Sequence, residues 1–530
     1  MDIPRMGVPA ELADRPLAEQ HEYLRSRFSR RTMIRGGAVT LGAVAGGVFV
    51  PGAASASQRT ATATTASAPA AEAVDGALVA PFGRHLSYGD DARTEMTVSW
   101  QVPVAVKDPF IRVGAGAGEL SRKIPAELKA LYTPAGVGTS ADHTQYYVHA
   151  RLTRLKPGKT YYYGVGHRGF DPASPRFAGT IGTFTTAPAR AERFTFTAFG
   201  DQGVSYHALA NDSLILAQGP AFHLHAGDIA YADPSGQGKT TDTFDARTWD
   251  QFLAQTETVA KSVPWMVSYG NHDMEAWYSP NGYGSQEARF APPGNGPDPK
   301  ELPGVYSFVH GNTAVISLDA NDVSYEIPAN LGISGGTQTA WFERQLKKFR
   351  AAGSGIDFVV VFFHHCAYCT ATAHASEGGV RKEWVPLFEK YTVDLVINGH
   401  NHVYERTDVL KGDKVTKELP IGGTAYPETD GVVYVTAGAA GKGLYEFPVE
   451  DTYEGHEKKV DPFASYVTQD GGGKKAVTVD WSRVRYTNYS FLRVDVEPAP
   501  VGRTAKLTVR GLAETGAEVD RFVVARKVRH

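Results

Sequence analysis

The sequence has little of several features that would assign it at once to a special class of protein. Its 530 residues include only two cysteines, Cys366 and Cys369, so no framework of disulfides can hold the fold together. Lys and Arg total 54 against 57 Asp and Glu, and a formal net charge of −3 creates no field that would attract nucleic acid or an anionic membrane by itself. No nucleic-acid scaffold is therefore expected among its partners.

The N-terminal region lacks a hydrophobic run long enough to anchor the chain in a membrane. The uncharged residues 36–50 are fewer than the roughly 20 apolar residues that cross a bilayer, and they include five glycines. Arg30 and Arg31 precede this segment, and Ala54-Ser55-Ala56, a small-x-small site typical of signal-peptidase cleavage, follows it. The order resembles a bacterial twin-arginine signal.

This resemblance predicts where the protein is located. We expect residues 1–56 to be a twin-arginine signal peptide and the Ala/Ser/Thr-rich residues 57–78 to be a flexible spacer. The twin-arginine export machinery would then be a transient partner. The mature protein would be secreted or lie at the cell surface, with no stable membrane anchor.

The length of the chain predicts two folded domains, since a single core rarely serves more than roughly 250–300 residues. Residues 79–188 show short alternating runs, and Met96, Val98 and Trp100 fall on one face, as in a half-buried strand. A Pro157-Gly158 turn leads into three consecutive tyrosines and resembles a corner of a fibronectin type III module. We expect a β-sandwich with a structural role here.

Residues 189–530 have the sequence pattern of an α/β domain, with short apolar runs separated by helical or loop segments. Phe342, Leu346 and Phe349 recur at helical spacing and predict a helix from Thr337 to Arg350. The Gly/Pro-rich segments 279–304 and 419–431 predict surface loops that could border a substrate cleft.

Five apolar runs in this second domain each end at polar residues of the kinds that bind metals. These ends are Gly200-Asp201-Gln202-Gly203, Gly227-Asp228-Ile229-Ala230-Tyr231, Gly270-Asn271-His272-Asp273, His364 after residues 359–363, and Gly399-His400-Asn401-His402. Because the carboxyl ends of strands form the ligand crevice of an open α/β sheet, we expect them to converge. Each one alone is weak evidence, since a Gly-Asp pair is usually a turn and a buried histidine is usually hydrogen-bonded to its surroundings.

In order, the five patterns resemble the five motifs of purple acid phosphatases: Gly-Asp-x-Gly, Gly-Asp-x-x-Tyr, Gly-Asn-His-Asp, Val-x-x-His and Gly-His-x-His. The resemblance covers most of the chain after residue 79 and is strongest between Gly200 and Arg406. It implies an α/β (α+β) protein: a fibronectin type III-like β-sandwich followed by a calcineurin-like metallophosphoesterase domain, a four-layer αββα sandwich. It further implies an exported acid phosphatase acting on small-molecule phosphate monoesters.

The resemblance also implies a binuclear metal centre. Carried over by position, a ferric ion takes Asp201, Tyr231 and His402, a divalent Zn, Mn or Fe takes Asn271, His364 and His400, and Asp228 bridges the two. Carboxylate and phenolate oxygens suit Fe(III), and imidazole and amide groups suit the divalent ion. Two such cations about 3.5–4 Å apart can bind a phosphate and activate water for attack on phosphorus.

Two histidines are implied as catalytic. His272, beside Asn271, aligns with a family pocket histidine and is a candidate proton donor or stabiliser of the transition state. His374 lies ten residues beyond His364, where the family usually has adjacent histidines, but Ala373 fills the neighbouring place. The identity of the acid that protonates the leaving group stays open.

The segment after the fourth motif also departs from the family, which commonly has His-x-Pro-Trp-Tyr where this chain has His-His-Cys-Ala-Tyr at 364–368. The pocket rim and the choice of substrate could differ accordingly. We expect Asn271, His272, His365 and Tyr368 to contact substrate, with support of a metal ligand as the equal alternative for His365. His223 and His225 are expected to be buried strand residues.

Other interpretations remain at this point. A related metallophosphoesterase could act on phosphodiesters, nucleotides or phospholipids with Mn or Zn, although Tyr231 argues against it. A non-enzymatic exported binding protein is disfavoured because all seven ligand types are present. Cys366 and Cys369 could form a local disulfide, a redox pair or free thiols, and an oxidising compartment favours the disulfide. The sequence does not predict the oligomeric state.

Overall fold

A computed structural model describes residues 76–139, 141–374, 376–447, 453–455, 459–467 and 473–529. The expected signal peptide and residues 57–75 of the expected spacer lie outside these ranges. No helix in the described part of the chain is both long enough and apolar enough to cross a membrane.

The first domain is a sandwich of two four-stranded antiparallel sheets. Its strands are β1 (Phe82–Tyr88), β2 (Met96–Val102), β3 (Phe110–Gly114), β4 (Arg122–Pro125), β5 (Glu127–Thr133), β6 (His143–Leu152), β7 (Thr160–Gly166) and β8 (Gly182–Thr185), and a 3-10 helix spans Pro175–Thr180. One sheet has the order β1-β2-β6-β5 and the other has the order β4-β3-β7-β8.

Strand β2 differs from the expected half-buried strand. Met96, Val98 and Trp100 are buried in the core as predicted, but the alternate residues on the opposite face are buried as well. The second domain covers that face. For example, Ser99 pairs with His149, whose Nε2 lies 2.9 Å from the carbonyl oxygen of Ala288.

The second domain contains two seven-stranded sheets. Its strands are β9 (Phe194–Phe199), β10 (Phe222–Ala226), β11 (Trp265–Ser268), β12 (Tyr306–His310), β13 (Thr313–Ser317), β14 (Phe358–Phe363), β15 (Ser376–Glu377), β16 (Leu395–Asn398), β17 (Tyr404–Thr407), β18 (Val409–Lys411), β19 (Lys414–Lys417), β20 (Thr424–Ala425), β21 (Tyr434–Ala437), β22 (Lys459–Val467), β23 (Lys474–Val479), β24 (Ser482–Tyr486), β25 (Ser490–Glu497), β26 (Thr504–Ala513) and β27 (Glu518–Lys527).

The strand orders place the predicted site on parallel strands in both sheets. The first sheet runs β11-β10-β9-β25-β26-β27-β20 and the second runs β12-β13-β14-β16-β21-β17-β24. β9, β10 and β11 are parallel neighbours, as are β14 and β16. The remaining pairings are the three-stranded β15-β22-β23 and the hairpin β18-β19.

Helices cover the outer faces of the two sheets. They are α1 (Tyr206–Gln218), α2 (Arg247–Ala260), α3 (Gly284–Arg289), α4 (Thr337–Phe349), α5 (Gly378–Glu383) and α6 (Val385–Lys390), with 3-10 turns at Asn271–Asp273, Ala320–Asp322 and Pro328–Asn330. The predicted helix is confirmed as α4, which ends one residue earlier than expected. Phe342, Leu346 and Phe349 are all buried.

Successive side chains along each strand point to opposite faces of the sheet, and this alternation explains the layers of helices and sheets. In β14, Val360 and Phe362 face the other sheet and join the core with Phe222 and Leu224 of β10, whereas Val359, Val361 and Phe363 pack under the helices with Phe342. On the opposite side α2 packs on Trp265 and Val267. The result is the predicted αββα order, because each sheet has two apolar faces to bury.

The segment 279–304 is not simply the expected surface loop. It contains α3, in which Ser285, Gln286 and Arg289 are fully buried. Arg289 pairs with buried Glu275 at 2.8 Å and also reaches the Tyr147 hydroxyl of the first domain. The α3 part of this Gly/Pro-rich segment is thus held inside the protein by an ion pair, whereas residues 298–301 are exposed. The segment 419–431 is mostly at the surface and includes the short strand β20.

Candidate metal centre

The five predicted strand ends meet at one place. Hydrogen bonds tie their loops together: the amide of Asp201 donates to Gly227, that of Gly203 donates to Ile229, and that of Gly399 donates to His364. The seven predicted ligands are all at most 6% exposed: Asp201, Asp228, Tyr231, Asn271, His364, His400 and His402. These seven side chains are called the floor of the site below.

Four floor residues adopt a left-handed backbone that L-residues usually avoid. Asp201, Asp228, Tyr231 and His400 have φ values of 61°, 52°, 57° and 67°. Such a conformation costs about 1–3 kcal/mol per residue and persists only where the surrounding structure enforces it. These turns aim side chains from different strands at a shared point.

One half of the floor groups a carboxylate, a phenol and an imidazole. The Tyr231 hydroxyl lies 2.9 Å from Oδ1 of Asp201 and 2.8 Å from Nε2 of His402. Nδ1 of His402 is 2.6 Å from the carbonyl oxygen of Gly443, so this nitrogen carries the proton and Nε2 faces the cluster. Oδ1 of Asp201, the hydroxyl oxygen of Tyr231 and Nε2 of His402 therefore point to one position, where all three can bind the same metal ion.

The other half groups Asp228 with two histidines. Oδ2 of Asp228 is 3.1 Å from Nε2 of His364, and that nitrogen is 3.2 Å from Nδ1 of His400. His364 donates through Nδ1 to the carbonyl of Ala226 at 2.8 Å. The side-chain amide nitrogen of Asn271 donates a hydrogen bond to the carbonyl oxygen of Gly236 at 3.0 Å. Oδ1 of Asn271 is therefore the atom left to bind a metal.

Two observations show that these residues fit a metal centre. Oδ2 of Asp201 and Oδ1 of Asn271 are buried and have no hydrogen-bond partner among the described residues, an arrangement that is costly unless a cation satisfies them. Glycines leave room for the backbone to approach. A Cβ at Gly270 would lie 2.1 Å from Oδ1 of Asp228, and one at Gly399 would lie 2.6 Å from Oδ2 of Asp201.

The electrostatics of the floor are those of a cation site. Burial alone would lower the pKa of His364, but Asp228 and Asp201 outweigh it and raise that pKa to about 10. Burial, together with the neighbouring His374, lowers the pKa of His400 to about 4. The two carboxylates thus favour positive charge at the cluster.

Asp273, the last residue of the third motif, supports the floor from behind. Its carboxylate accepts hydrogen bonds from the backbone N–H groups of Asp228, Ile229 and Gly270 at 2.8, 3.0 and 2.8 Å. It therefore locks two ligand loops together. The side chain of Gln286 in α3 donates to the carbonyl of Asp273 at 2.9 Å.

The predicted catalytic histidines lie on the open side of the floor. Nε2 of His272 is 3.8 Å from Oδ2 of Asp228, and Nδ1 of His272 is fixed at 2.6 Å by the carbonyl of Asp233. His374 lies over His400, with ring centroids 4.2 Å apart. Both rings are partly exposed, at 17% and 28%, as access to a substrate requires.

The other two predicted substrate contacts have different surroundings. His365 is fully buried against His364 and His400, and neither of its ring nitrogens has a partner among the described residues. This placement favours support of the ligands over contact with substrate. Tyr368 lies away from the floor, because its ring packs on Tyr434 and Trp481 and its hydroxyl donates to Asp413. The expectation of a substrate contact at Tyr368 does not fit this position.

Cys366 and Cys369 are both buried. No bond joins them in the structure, which therefore does not contain the local disulfide expected for an oxidising compartment. The Cys366 thiol donates to the carbonyl of Gly399 at 3.0 Å, directly before the ligand His400. His223 and His225 are fully buried strand residues, as predicted.

Three residues that the sequence did not reveal complete the edge of the site. Glu326 lies between His374 and His400, the Lys442 ammonium is 4.1 Å from the ring centre of Tyr231, and Tyr445 stacks on His402 at 4.0 Å. Together with His374 they are called the rim below. Lys442 lies between two glycines, a pattern that marks a close backbone approach, but nothing in the sequence singles out Glu326.

Comparison with known proteins agrees with this arrangement. Residues 81–186 match the model of the purple acid phosphatase N-terminal domain, and residues 194–404 match that of the calcineurin-like phosphoesterases. An uncharacterized protein of Mycobacterium tuberculosis is 31% identical over 484 residues, which cover 84% of this chain and 87% of that protein. Human acid phosphatase type 7 is 26% identical over 445 residues, 80% of this chain and 87% of the relative.

A solved structure shares the fold. A purple acid phosphatase from seeds of yellow lupin (Lupinus luteus) superposes with a TM-score of 0.63 at 21% identity, covering 85% of this chain and 75% of that one. The likeness extends over both domains described above. The chain therefore belongs to the purple acid phosphatase-like metallophosphoesterases, a family of phosphoester hydrolases that implies a binuclear metal centre.

Proposed function

We propose that the protein is an acid phosphatase that hydrolyses phosphate monoesters at a centre of one ferric and one divalent ion. Asp201, Tyr231 and His402 would hold the ferric ion. Asn271, His364 and His400 would hold the divalent ion, which is Zn, Mn or Fe, and Asp228 would bridge the two. The observation that supports this assignment best is the position of the Tyr231 hydroxyl between Asp201 and His402.

The donor sets favour two different ions. The Tyr231 half offers anionic oxygen atoms, which suit a hard trivalent iron. The Asn271 half offers imidazole and amide donors, which suit a divalent ion of the first transition series. When bound, the metal pair would neutralise the charge of the phosphate and activate water for attack on phosphorus.

The protein residues on the open side would orient the substrate. Lys442 supplies a positive charge beside Tyr231. Burial lowers the pKa of its amine, and the attraction of Asp228 and Asp201 only partly offsets this effect. His272 has Nδ1 occupied by Asp233, so Nε2 is the nitrogen available to a phosphate oxygen or to the leaving group. His374 is the second candidate for protonating the leaving group, which is otherwise expelled as an unstable alkoxide.

The proposal is tested by metal analysis and a visible spectrum of full-length protein purified without added metal, combined with hydrolysis of 4-nitrophenyl phosphate and bis(4-nitrophenyl) phosphate across pH. We expect close to two metals per chain, a visible band from tyrosinate-to-iron charge transfer, and faster cleavage of the monoester on the acid side. Faster cleavage of the diester by a colourless Mn or Zn protein would instead support the related phosphodiesterase.

We also propose that the protein is exported in folded form, since adjacent arginines precede a short Gly-rich apolar segment and a small-x-small site. Replacing Arg30 and Arg31 with lysines should retain the phosphatase inside the cell, as measured by activity in fractions of the native host. Unchanged export of that variant would contradict the twin-arginine route.

A further inference from the structure

Glu326 is a carboxylate that belongs to no ligand motif and yet contacts the floor. It lies in the loop between β13 and α4, and its side chain is only 17% exposed. Its Oε2 is 3.2 Å from Nε2 of His400, and its Oε1 is 2.9 Å from Nδ1 of His374. A single carboxylate thus joins a ligand of the divalent ion to a candidate acid.

His400 directs its two ring nitrogens to opposite sides. Nδ1 faces His364 in the floor at 3.2 Å, and Nε2 faces Glu326. An imidazole that binds a metal through Nδ1 keeps its proton on Nε2, where a carboxylate that accepts it fixes the ring and strengthens the ligand. The same geometry argues against a further ion among Glu326, His374 and His400, because Nε2 of His400 has no lone pair left to offer.

His374 is oriented by the same carboxylate. Because Nδ1 of His374 donates to Glu326, Nε2 is the nitrogen that faces the open site, 3.3 Å from the Tyr445 hydroxyl. Tyr445 in turn stacks on His402 of the other half. Glu326, His374 and Tyr445 of the rim therefore form a connected chain from His400 in one half of the floor to His402 in the other.

The loop that presents Glu326 is held by a second buried carboxylate. Glu377 is 1% exposed and accepts hydrogen bonds from the backbone amides of Tyr325 and Glu326 at 2.9 and 3.2 Å and from the Ser324 hydroxyl at 3.1 Å. The position of Glu326 is thus determined by the surrounding structure and is not a chance orientation of a surface side chain.

We propose that Glu326 is a positioning residue that fixes His400 toward the divalent ion and His374 toward the leaving group. It thereby couples occupancy of the divalent site to protonation of the departing oxygen. In that step the imidazolium form of His374 gives its Nε2 proton to the leaving group, and the neutral ring that remains still donates through Nδ1 to Glu326. This inference rests on the proposed binuclear phosphatase and adds to it a residue that the family motifs do not contain. The glutamate acts through the two histidines and not on the substrate itself.

The first test is the affinity of the divalent site in Glu326→Gln. The amide oxygen of glutamine can accept from one ring, but its NH₂ group cannot accept from the other. We expect the affinity for Zn²⁺, measured by competition with a chromophoric chelator, to fall about 10- to 100-fold, as is typical when the outer partner of a ligand is lost. The tyrosinate–iron band should remain, since Glu326 contacts no residue of the Tyr231 half.

The second test is the dependence on the leaving group at saturating Zn²⁺. Glu326→Gln should slow kcat for phenyl phosphate more than for 4-nitrophenyl phosphate, because nitrophenolate departs without a proton. His374→Ala should show the same selective loss while keeping the Zn²⁺ affinity of the wild type. Combining both substitutions should add little to the selectivity of either one, since the two residues act in series.

The matched control is Glu446→Gln. Glu446 is exposed and follows Tyr445, so this variant removes one negative charge near the rim without touching His400. Its Zn²⁺ affinity and leaving-group dependence should equal those of the wild type. If Glu326→Gln does not fold, Glu326→Asp serves instead, because the shorter side chain cannot reach both rings at once.

The outcomes separate this inference from the proposed function. A folded Glu326→Gln protein with wild-type Zn²⁺ affinity and wild-type leaving-group dependence would overturn the inference alone. Equal losses in Glu446→Gln would also overturn it, since they would reflect charge and not position. A wild-type protein that binds no divalent ion or cleaves no monoester would refute the proposed function itself.

Discussion

The floor and the rim of the metal centre are built in different ways. The floor takes its seven side chains from the ends of strands and from the short turns after them, almost fully buried and held by hydrogen bonds between loops. The rim takes Glu326, His374, Lys442 and Tyr445 from longer loops, and each of these is partly exposed. The floor is therefore suited to hold metal ions, whereas we propose that the rim determines which ester reacts and how fast.

The comparison predicts that damage to the floor has the largest effect. In His364→Ala the proposed divalent ion would lose a ligand that is fully buried and fixed by the carbonyl oxygen of Ala226. We expect about one metal per chain and a fall in kcat/KM of roughly a thousandfold or more, because a metal ion supplies several kcal/mol of transition-state stabilisation. Metal analysis and initial rates measure both quantities.

The control for this variant is His207→Ala. His207 lies on α1 and pairs with Glu514 at 2.7 Å, apart from the floor. Its removal should leave two metals per chain. Normal turnover and full metal content in His364→Ala would show that the buried cluster is not the reaction centre.

A second change to the floor should alter the spectrum more than the fold. Tyr231→Phe keeps the buried ring and removes only the hydroxyl between Asp201 and His402. We expect complete loss of the visible band with a change in unfolding free energy of about 1 kcal/mol, the usual worth of a hydrogen bond. Absorption and thermal unfolding are the measurements.

The matched variant is Tyr306→Phe, which removes another buried hydroxyl, one that donates to Val267 at 2.9 Å. It should be destabilised to a similar extent and keep its colour. A Tyr231→Phe protein that is as coloured as the wild type would place iron elsewhere.

Substitutions in the rim should reduce activity less than substitutions in the floor, and they should mainly weaken substrate binding. Lys442→Met removes a positive charge beside Tyr231 while keeping much of the apolar stem. We expect KM for 4-nitrophenyl phosphate to rise by about tenfold, equivalent to about 1.4 kcal/mol, with little change in metal content. Lys442→Arg should recover most of the loss, and an unchanged KM in Lys442→Met would remove this residue from the substrate site.

The same contrast explains how much could be predicted from the sequence. Six floor residues lie in short motifs that begin with glycine at the end of an apolar run, and His364 directly follows such a run. Their order along the chain resembles that of the purple acid phosphatase motifs, and this resemblance predicted that they lie together. Glu326 could not be found this way, because its position depends on hydrogen bonds to Glu377, about 50 residues further along the chain. The burial of β2 on both faces likewise could not be predicted from the sequence, because residues of the other domain, in α3 and its neighbours, pack on its second face.

The smallest expected effect concerns Tyr368, which the sequence placed in the pocket and the structure places in the core. Its hydroxyl donates to Asp413 and its ring packs among Tyr434, Trp481 and the guanidinium of Arg381. Tyr368→Phe should therefore cost about 1 kcal/mol of stability and leave kcat and KM within about twofold of the wild type, a difference of less than half a kcal/mol. If KM rose as in Lys442→Met while stability stayed constant, Tyr368 would belong to the rim and contact the substrate, and it would not be a residue of the core.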